Sequence, residues 1–196
     1  MTLTQYLNTI GFDGFEGYCQ QVPDQVRDLI RLSKGSNMNV MEIGFNAGHS
    51  AEIFLHFNRT LTLTSFDMGD HHYLNAAKEY IDTAYPNRHS LILGDSVVTV
   101  PNYINANPNK TFDLIFIDGG HEYEVANADL ENCRALANKD TIVIIDDTFY
   151  TNGYEYDHTA GPTKTWVEHV NNGTITEIKN VDYCAGRGMS WGKYVF

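Results

Sequence analysis

Carboxylates close the apolar runs of this sequence. Glu42 lies in the run 39–43 just before Gly44, and Asp67, Asp95, Asp118 and the pair Asp146-Asp147 follow the runs 61–66, 90–93, 112–117 and 141–145. Acids gathered on one rim can accept hydrogen bonds from hydroxyls, balance a cationic ligand or hold a divalent ion. If the fourth and fifth runs are neighbouring strands, Asp118, Asp146 and Asp147 converge and repel one another unless a cation neutralises them. Oxygen-only ligation of that kind suits Mg²⁺ or Ca²⁺. Such an ion would hold a substrate hydroxyl and lower its pKa. His121, three residues beyond Asp118, is then the natural general base. The alternative is turn chemistry, because Asp is common after strands and caps helices. On that view Asp118 touches a cofactor, Asp147 caps the next segment and His121 makes a helix-start hydrogen bond.

The turn after the first run reads from Glu42 through Gly44, Asn46, Gly48 and His49 to Ser50. Gly44 permits a tight turn, and Gly48 lets the backbone approach a ligand at the start of a helix. Asn46 stands where the dinucleotide fingerprint needs its second glycine, so no pyrophosphate cradle is present. An acid before the first glycine then favours a cationic, diphosphate-free ligand. Asp67, about 20 residues on, is placed to hold a ribose diol, and Gly94, Asp95 and Ser96 to meet an adenine edge.

Weaker candidates surround these. His71 and His72 follow Asp70 in a loop, and His49 and His56 share a helix with no third ligand nearby. Tyr150, Tyr154, Tyr156, Asp157 and His158 form an aromatic, polar loop of the kind that covers substrate pockets. Phe12, Phe15, Tyr18 and the glycines between them suit a lid or a subunit contact.

The elements that must position these residues follow from periodicity. The runs 112–117 and 141–145 are almost continuously apolar, as in strands covered on both faces. Val26, Leu29 and Ile30 recur at helical spacing after Pro23, with Gly35 beyond them. Leu74, Ala77, Ile81 and Ala84 do so before Pro86, and Val125, Ala126, Leu130, Cys133 and Ala137 before the fifth run. The alternation implies a parallel sheet with right-handed crossovers. The tail departs from it: Gly161-Pro162 opens a short helix with Trp166, Val167 and Val170, and Asn172-Gly173 ends it. Segments 174–181 and 189–196 then read as an antiparallel strand pair.

The chain is expected to form one domain: an N-terminal helical segment (1–37), a cofactor-binding core (38–150), and a substrate loop, helix and strand pair (151–196). Its 196 residues carry 13 Lys+Arg against 25 Asp+Glu, a formal charge of −12. That balance argues against nucleic acid, which needs Lys/Arg clusters, and against anionic membranes. Cys19, Cys133 and Cys184 are too scattered for a disulfide framework or a thiolate metal site. No signal peptide or membrane span is legible, so a soluble cytoplasmic protein is expected. A homo-oligomer is left open.

These residues resemble a known family. The pattern ExGxxxGxS from Glu42 to Ser50, the strand-end Asp67, Leu93-Gly-Asp-Ser96, and Asp118-Gly-Gly-His121-Glu-Tyr123 are similar to class I S-adenosylmethionine-dependent methyltransferases. The Asp-Gly-Gly-His stretch with the later Ile145-Asp-Asp147 resembles, more narrowly, small bacterial enzymes related to metal-dependent sugar O-methyltransferases. The likeness implies a Rossmann-like, doubly wound α/β fold with seven strands, the last antiparallel, and helices on both faces. It implies that Glu42, Gly44, Asn46, Gly48, His49 and Ser50 surround the methionine moiety of the cofactor. Asp67 would take the ribose and Asp95 with Ser96 the adenine, while Gly94, Asp118, Gly119 and His121 complete the cofactor site. Asp118, Asp146 and Asp147 would bind a divalent ion such as Mg²⁺, with Asp118 and His121 catalytic. The expected reaction is methyl transfer to a hydroxyl of a small molecule. The rival readings are an NAD(P)-binding Rossmann oxidoreductase, disfavoured by Asn46, a non-catalytic cofactor-binding or interaction module, and methylation of nucleic acid or protein.

Overall fold

The computed structural model describes residues 1–151, 155–184 and 186–196. Its strands are β1 Asn39–Ile43, β2 Thr62–Asp67, β3 His89–Leu93, β4 Leu114–Ile117, β5 Ile142–Asp146, β6 Ile175–Cys184 and β7 Arg187–Tyr194. They form one seven-stranded sheet in the order β3-β2-β1-β4-β5-β7-β6. Strands β1 to β5 pair in parallel, and β7 runs antiparallel to both β5 and β6. This is the expected Rossmann-like sheet with an antiparallel last strand. The strand order reverses between β1 and β4, the switch point where open α/β sheets bind ligands.

Helices α1 Leu3–Thr9, α2 Pro23–Leu32, α3 His49–Phe57, α4 Leu74–Ala84, α5 Ser96–Ala106, α6 Tyr123–Cys133 and α7 Asp157–Asn171 cover the two faces. Val40, Leu63, Leu114, Phe116 and Ile144 join one core with Leu3, Leu29 and Phe54. Met41, Ile43, Ile115, Ile117, Val143 and Ile145 join the other with Leu130 and Trp166. The alternation is that of successive side chains on a strand. It carries through β5, so Asp146 follows Ile142 and Ile144 onto the α2 face.

Helix α7 and the strand pair depart from the sequence expectations, and α5 forms where local propensity is poor. Helix α5 is built on Val97, Val98, Thr99 and Val100 with Pro101 inside it, all poor helix formers. Tertiary context overrides that propensity: Asp95 caps it by accepting the Val97 N–H at 2.9 Å, and Val100 is buried. Helix α7 begins at Asp157 rather than at Gly161, so Pro162 lies within it and not at its start. Strands β6 and β7 also reach closer together than 174–181 and 189–196. Tyr154 and Ala185 lie outside the described residues. Among the described residues, no helix is long and apolar enough to cross a membrane.

Candidate active site

The ends of β1 and β4 are brought together by glycine. Gly44 has φ +96°, and a Cβ there would stand 1.8 Å from the Asp118 carbonyl oxygen. Only glycine lets the two strand ends pass so closely. Asn46 follows in the left-handed region at φ 49°, which Asn tolerates better than most residues. Its N–H donates to Asp67 Oδ2 at 2.8 Å, its side-chain oxygen accepts from the Tyr73 hydroxyl at 2.7 Å, and Gly69 N–H donates to Asp67 Oδ1 at 2.8 Å. Asp67 thus ties the loops after β1 and β2, and each of its oxygens retains acceptor capacity.

Across the switch point, β4 runs into Asp118, Gly119, Gly120 and His121. Helix α7 presses on this turn: a Cβ on Gly161 would lie 2.1 Å from the His121 carbonyl oxygen. Asp147, at φ 55°, breaks the alternation of β5. His121 Nε2–H donates to Asp147 Oδ2 at 3.0 Å, and Arg187 Nε stands 3.9 Å from Oδ1. That hydrogen bond raises the His121 pKa above its ordinary value, with burial working against it. Burial, then Asp146 and Asp147, push Asp118 well above the usual carboxylate range. These groups face a cavity of about 680 Å³, lined by Gly44, Asn46 and Asp67 from the turns after β1 and β2 and by His121, Asp147 and Arg187 from β4, β5 and β7 onward.

Asp118 and Gly119 also line this cavity, but the other expected cofactor residues do not. Glu42 is fully buried, accepting hydrogen bonds from Ser50 Oγ at 2.9 Å and Ser65 Oγ at 2.6 Å, and burial pushes its pKa to about 7. Ser50 is committed to that bond. Gly48 caps α3, and a Cβ on it would meet Phe45 and Leu3 rather than open space. His49 is buried, bonded to Thr4 Oγ1 at 3.0 Å and stacked on Tyr18, and burial drops its pKa to about 4. Gly94, Asp95 and Ser96 lie off the cavity wall, and Asp95 has the capping role of the turn-chemistry alternative.

The donors that converge are not the expected metal trio. Gln25 Nε2 donates to both Asp146 oxygens at 2.7 Å, on the α2 face where strand alternation puts them. His121 takes the vacated place: Asp118, His121 and Asp147 each offer one ligand atom, all within 4.8 Å of one another. Of the weaker candidates, Asp70, His71, Tyr156 and His158 line the cavity. Phe15 packs on His49 and Tyr73, while its neighbours Glu16 and Gly17 reach the wall. Sequence reasoning missed Gln25, for which no local signal exists. It also missed Arg187, a lone basic residue between two glycines in an acidic chain.

The fold has solved relatives. Cofactor-bound Rv0187 from MTB superposes with a TM-score of 0.75 at 15% identity, over 98% of this chain and 87% of that one. The O-methyltransferase from Bacillus cereus in complex with SAH gives 0.72 at 14% identity, over 98% and 89%. TomG, the O-methyltransferase of tomaymycin synthesis from Streptomyces achromogenes in complex with SAM, gives 0.72 at 12%, over 99% and 88%. No curated protein matches by sequence. A family described as a methyltransferase domain matches residues 41–148, the stretch that runs from β1 to just past Asp147. The chain therefore belongs to the methyltransferase-domain family.

Proposed function

We propose that this chain transfers a methyl group from S-adenosylmethionine to a hydroxyl oxygen of a small molecule. The observation that carries this reading is the His121–Asp147 pair, 3.0 Å apart on the cavity that Asp67 also lines. The wall suits the cofactor: Asp67, Asp70, Asp118 and Glu16 are acceptors for a cationic, hydroxyl-bearing molecule. When bound, that cofactor supplies an electrophilic methyl on a sulfonium sulfur. Asp147 accepts the Nε2 proton and so leaves the Nδ1 lone pair of His121 to take the acceptor's hydroxyl proton. Gly44, Asn46 and Asp67 hold the part of the cavity that follows β1 and β2 in place. The protein's contribution is alignment, a basic imidazole and exclusion of water.

A divalent ion is the second reading, favoured by the three convergent donors. Two carboxylates and an imidazole fit such an ion, and its charge would relieve the repulsion on Asp118. Asp118, His121 and Asp147 would hold it, and it would supply Lewis acidity to the acceptor hydroxyl. The imidazole makes the set less purely oxygen than the Mg²⁺ site expected from sequence. A ligating His121 would surrender its role as base.

Isothermal titration with S-adenosylmethionine, S-adenosylhomocysteine and NAD⁺, followed by transfer of a labelled methyl to a panel of hydroxylated acceptors, tests the main reading. Micromolar binding of the sulfonium cofactor is expected; tighter binding of NAD⁺ overturns it. Turnover in excess EDTA separates the two readings, because full activity there leaves His121 as the base and removes the ion.

A further inference from the structure

Arg187 is the only Lys or Arg among the described residues that line the cavity, against Glu16, Asp67, Asp70, Asp118 and Asp147. It reaches this rim because β7 runs antiparallel to β5, with Met189 opposite Asp146. The first residue of β7 therefore sits beside the carboxyl end of β5. Its side chain is 18% exposed and its Nε lies 3.9 Å from Asp147 Oδ1, too far for a hydrogen bond. That Nε is buried with no hydrogen-bond partner among the described residues. A guanidinium presents five donors in a rigid planar fork, and a buried donor such as this Nε left unmet is costly. Gly17 lies beside it: a Cβ there would stand in ordinary contact, 3.4 Å from Arg187 Nη1.

We infer that Arg187 is a specificity-determining residue that receives the carboxylate or phosphate of an anionic methyl acceptor. Planar oxyanions match the guanidinium fork in two parallel hydrogen bonds. His121 and Arg187 address the two oxygens of one carboxylate, Asp147. An acceptor bound to both would therefore be a short hydroxy acid, with its hydroxyl at His121 and its anion at Arg187. The cofactor's own carboxylate offers the same chemistry. However, Gly44, Asn46 and Asp67 follow β1 and β2, whereas Arg187 opens β7, beyond β4 and β5 in the sheet. The inference rests on the methyl-transfer reading above.

The test titrates the protein, saturated with S-adenosylhomocysteine, with salicylate and with its neutral amide, salicylamide. Affinity for S-adenosylhomocysteine is measured first and separately. The expected result is at least a tenfold preference for salicylate. Arg187→Met should erase it, Arg187→Lys should partly restore it, and both should leave the S-adenosylhomocysteine Kd within threefold. With any acceptor found, Arg187→Met should raise KM more than it lowers kcat. Equal affinity of the wild-type protein for the two probes overturns the inference, as does a preference that survives Arg187→Met. A tenfold loss of S-adenosylhomocysteine binding in Arg187→Met, with the probe preference unchanged, assigns the guanidinium to the cofactor and overturns the acceptor role. Wild-type protein that binds no S-adenosylhomocysteine fails the methyl-transfer reading instead, and salicylate titration of the unliganded protein then tests Arg187 alone. Circular dichroism and melting of both variants exclude misfolding as the cause of any loss.

Discussion

Asp147 fixes which nitrogen of His121 is free. Its carboxylate takes the Nε2 proton, so removing the charge changes both tautomer and basicity. Asp147→Asn should cut kcat by about 10²–10⁴-fold, the usual worth of a positioned base. The pKa of His121 lies above its ordinary value because of Asp147, so activity should rise with pH through that raised value. In Asp147→Asn the rising limb of the kcat profile should move toward lower pH; a limb that stays put removes His121 as the base. Glu42 gives a second titration, read in stability. Its folded pKa of about 7 exceeds the ordinary 4.5, so it favours the folded state at low pH, and that contribution is lost as pH rises toward and through 7. At 1.36 kcal/mol per unit the loss is about 3 kcal/mol. Urea titrations of the wild type and Glu42→Gln should therefore diverge by about that amount between pH 4.5 and 8, the wild type losing ground. Parallel curves would remove the buried-proton account. The contrast between these acids explains what was legible. That carboxylates end the strands could be read from the sequence. Which of them face the cavity could be read only in part: their adjacency keeps Asp146 and Asp147 together as one pair, and nothing local announces Gln25, the left-handed backbone of Asp147 or the serines around Glu42.

Strand ends place the site, and one helix braces the turn that carries His121. Helix α7 crosses the turn carrying His121 with Gly161 at the closest point, where a methyl group would stand 2.1 Å from the His121 carbonyl oxygen. Gly161→Ala must push α7 away from α6 or displace His121 from Asp147. Overpacking of this kind costs about 1–3 kcal/mol, and each kcal/mol lowers Tm by about 2–4 °C in a chain of this size. Thermal unfolding should show that drop, and kcat should fall by more than the S-adenosylmethionine Kd changes. A variant with wild-type Tm and turnover would mean that α7 does not position the base. The strands were legible because apolar runs between acids and glycines leave little ambiguity. The helices were less so. The valines and proline of α5 are poor helix formers and give it no periodic signal, and Pro162 reads as the start of α7 although the structure adds more than a turn before it. In both, packing and an adjoining strand outweigh local preference.

At the scale of the molecule, the charge of −12 has a consequence inside the cavity. Leaving aside Asp118, whose carboxyl is pushed well above the usual range, Glu16, Asp67, Asp70 and Asp147 line it against one arginine, so away from Arg187 its field favours cations over neutral ligands. S-adenosylmethionine carries one more positive charge than S-adenosylhomocysteine and is otherwise nearly the same shape. The pair therefore isolates the field from the contacts. The Debye length shrinks from above 10 Å in dilute salt to about 3 Å at 1 M, so long-range attraction is lost while close contacts persist. Raising NaCl from 20 to 500 mM should weaken S-adenosylmethionine binding by on the order of three- to tenfold and S-adenosylhomocysteine binding much less, as read by calorimetry. Asp70→Asn, on the cavity wall, should flatten the salt dependence of the charged ligand while leaving that of the neutral one in place. If the two ligands respond to salt alike, the acidity is a property of the outer surface and does not recruit the cofactor. If only the charged ligand responds, part of the −12 belongs to the site and selects substrate over product at the first encounter.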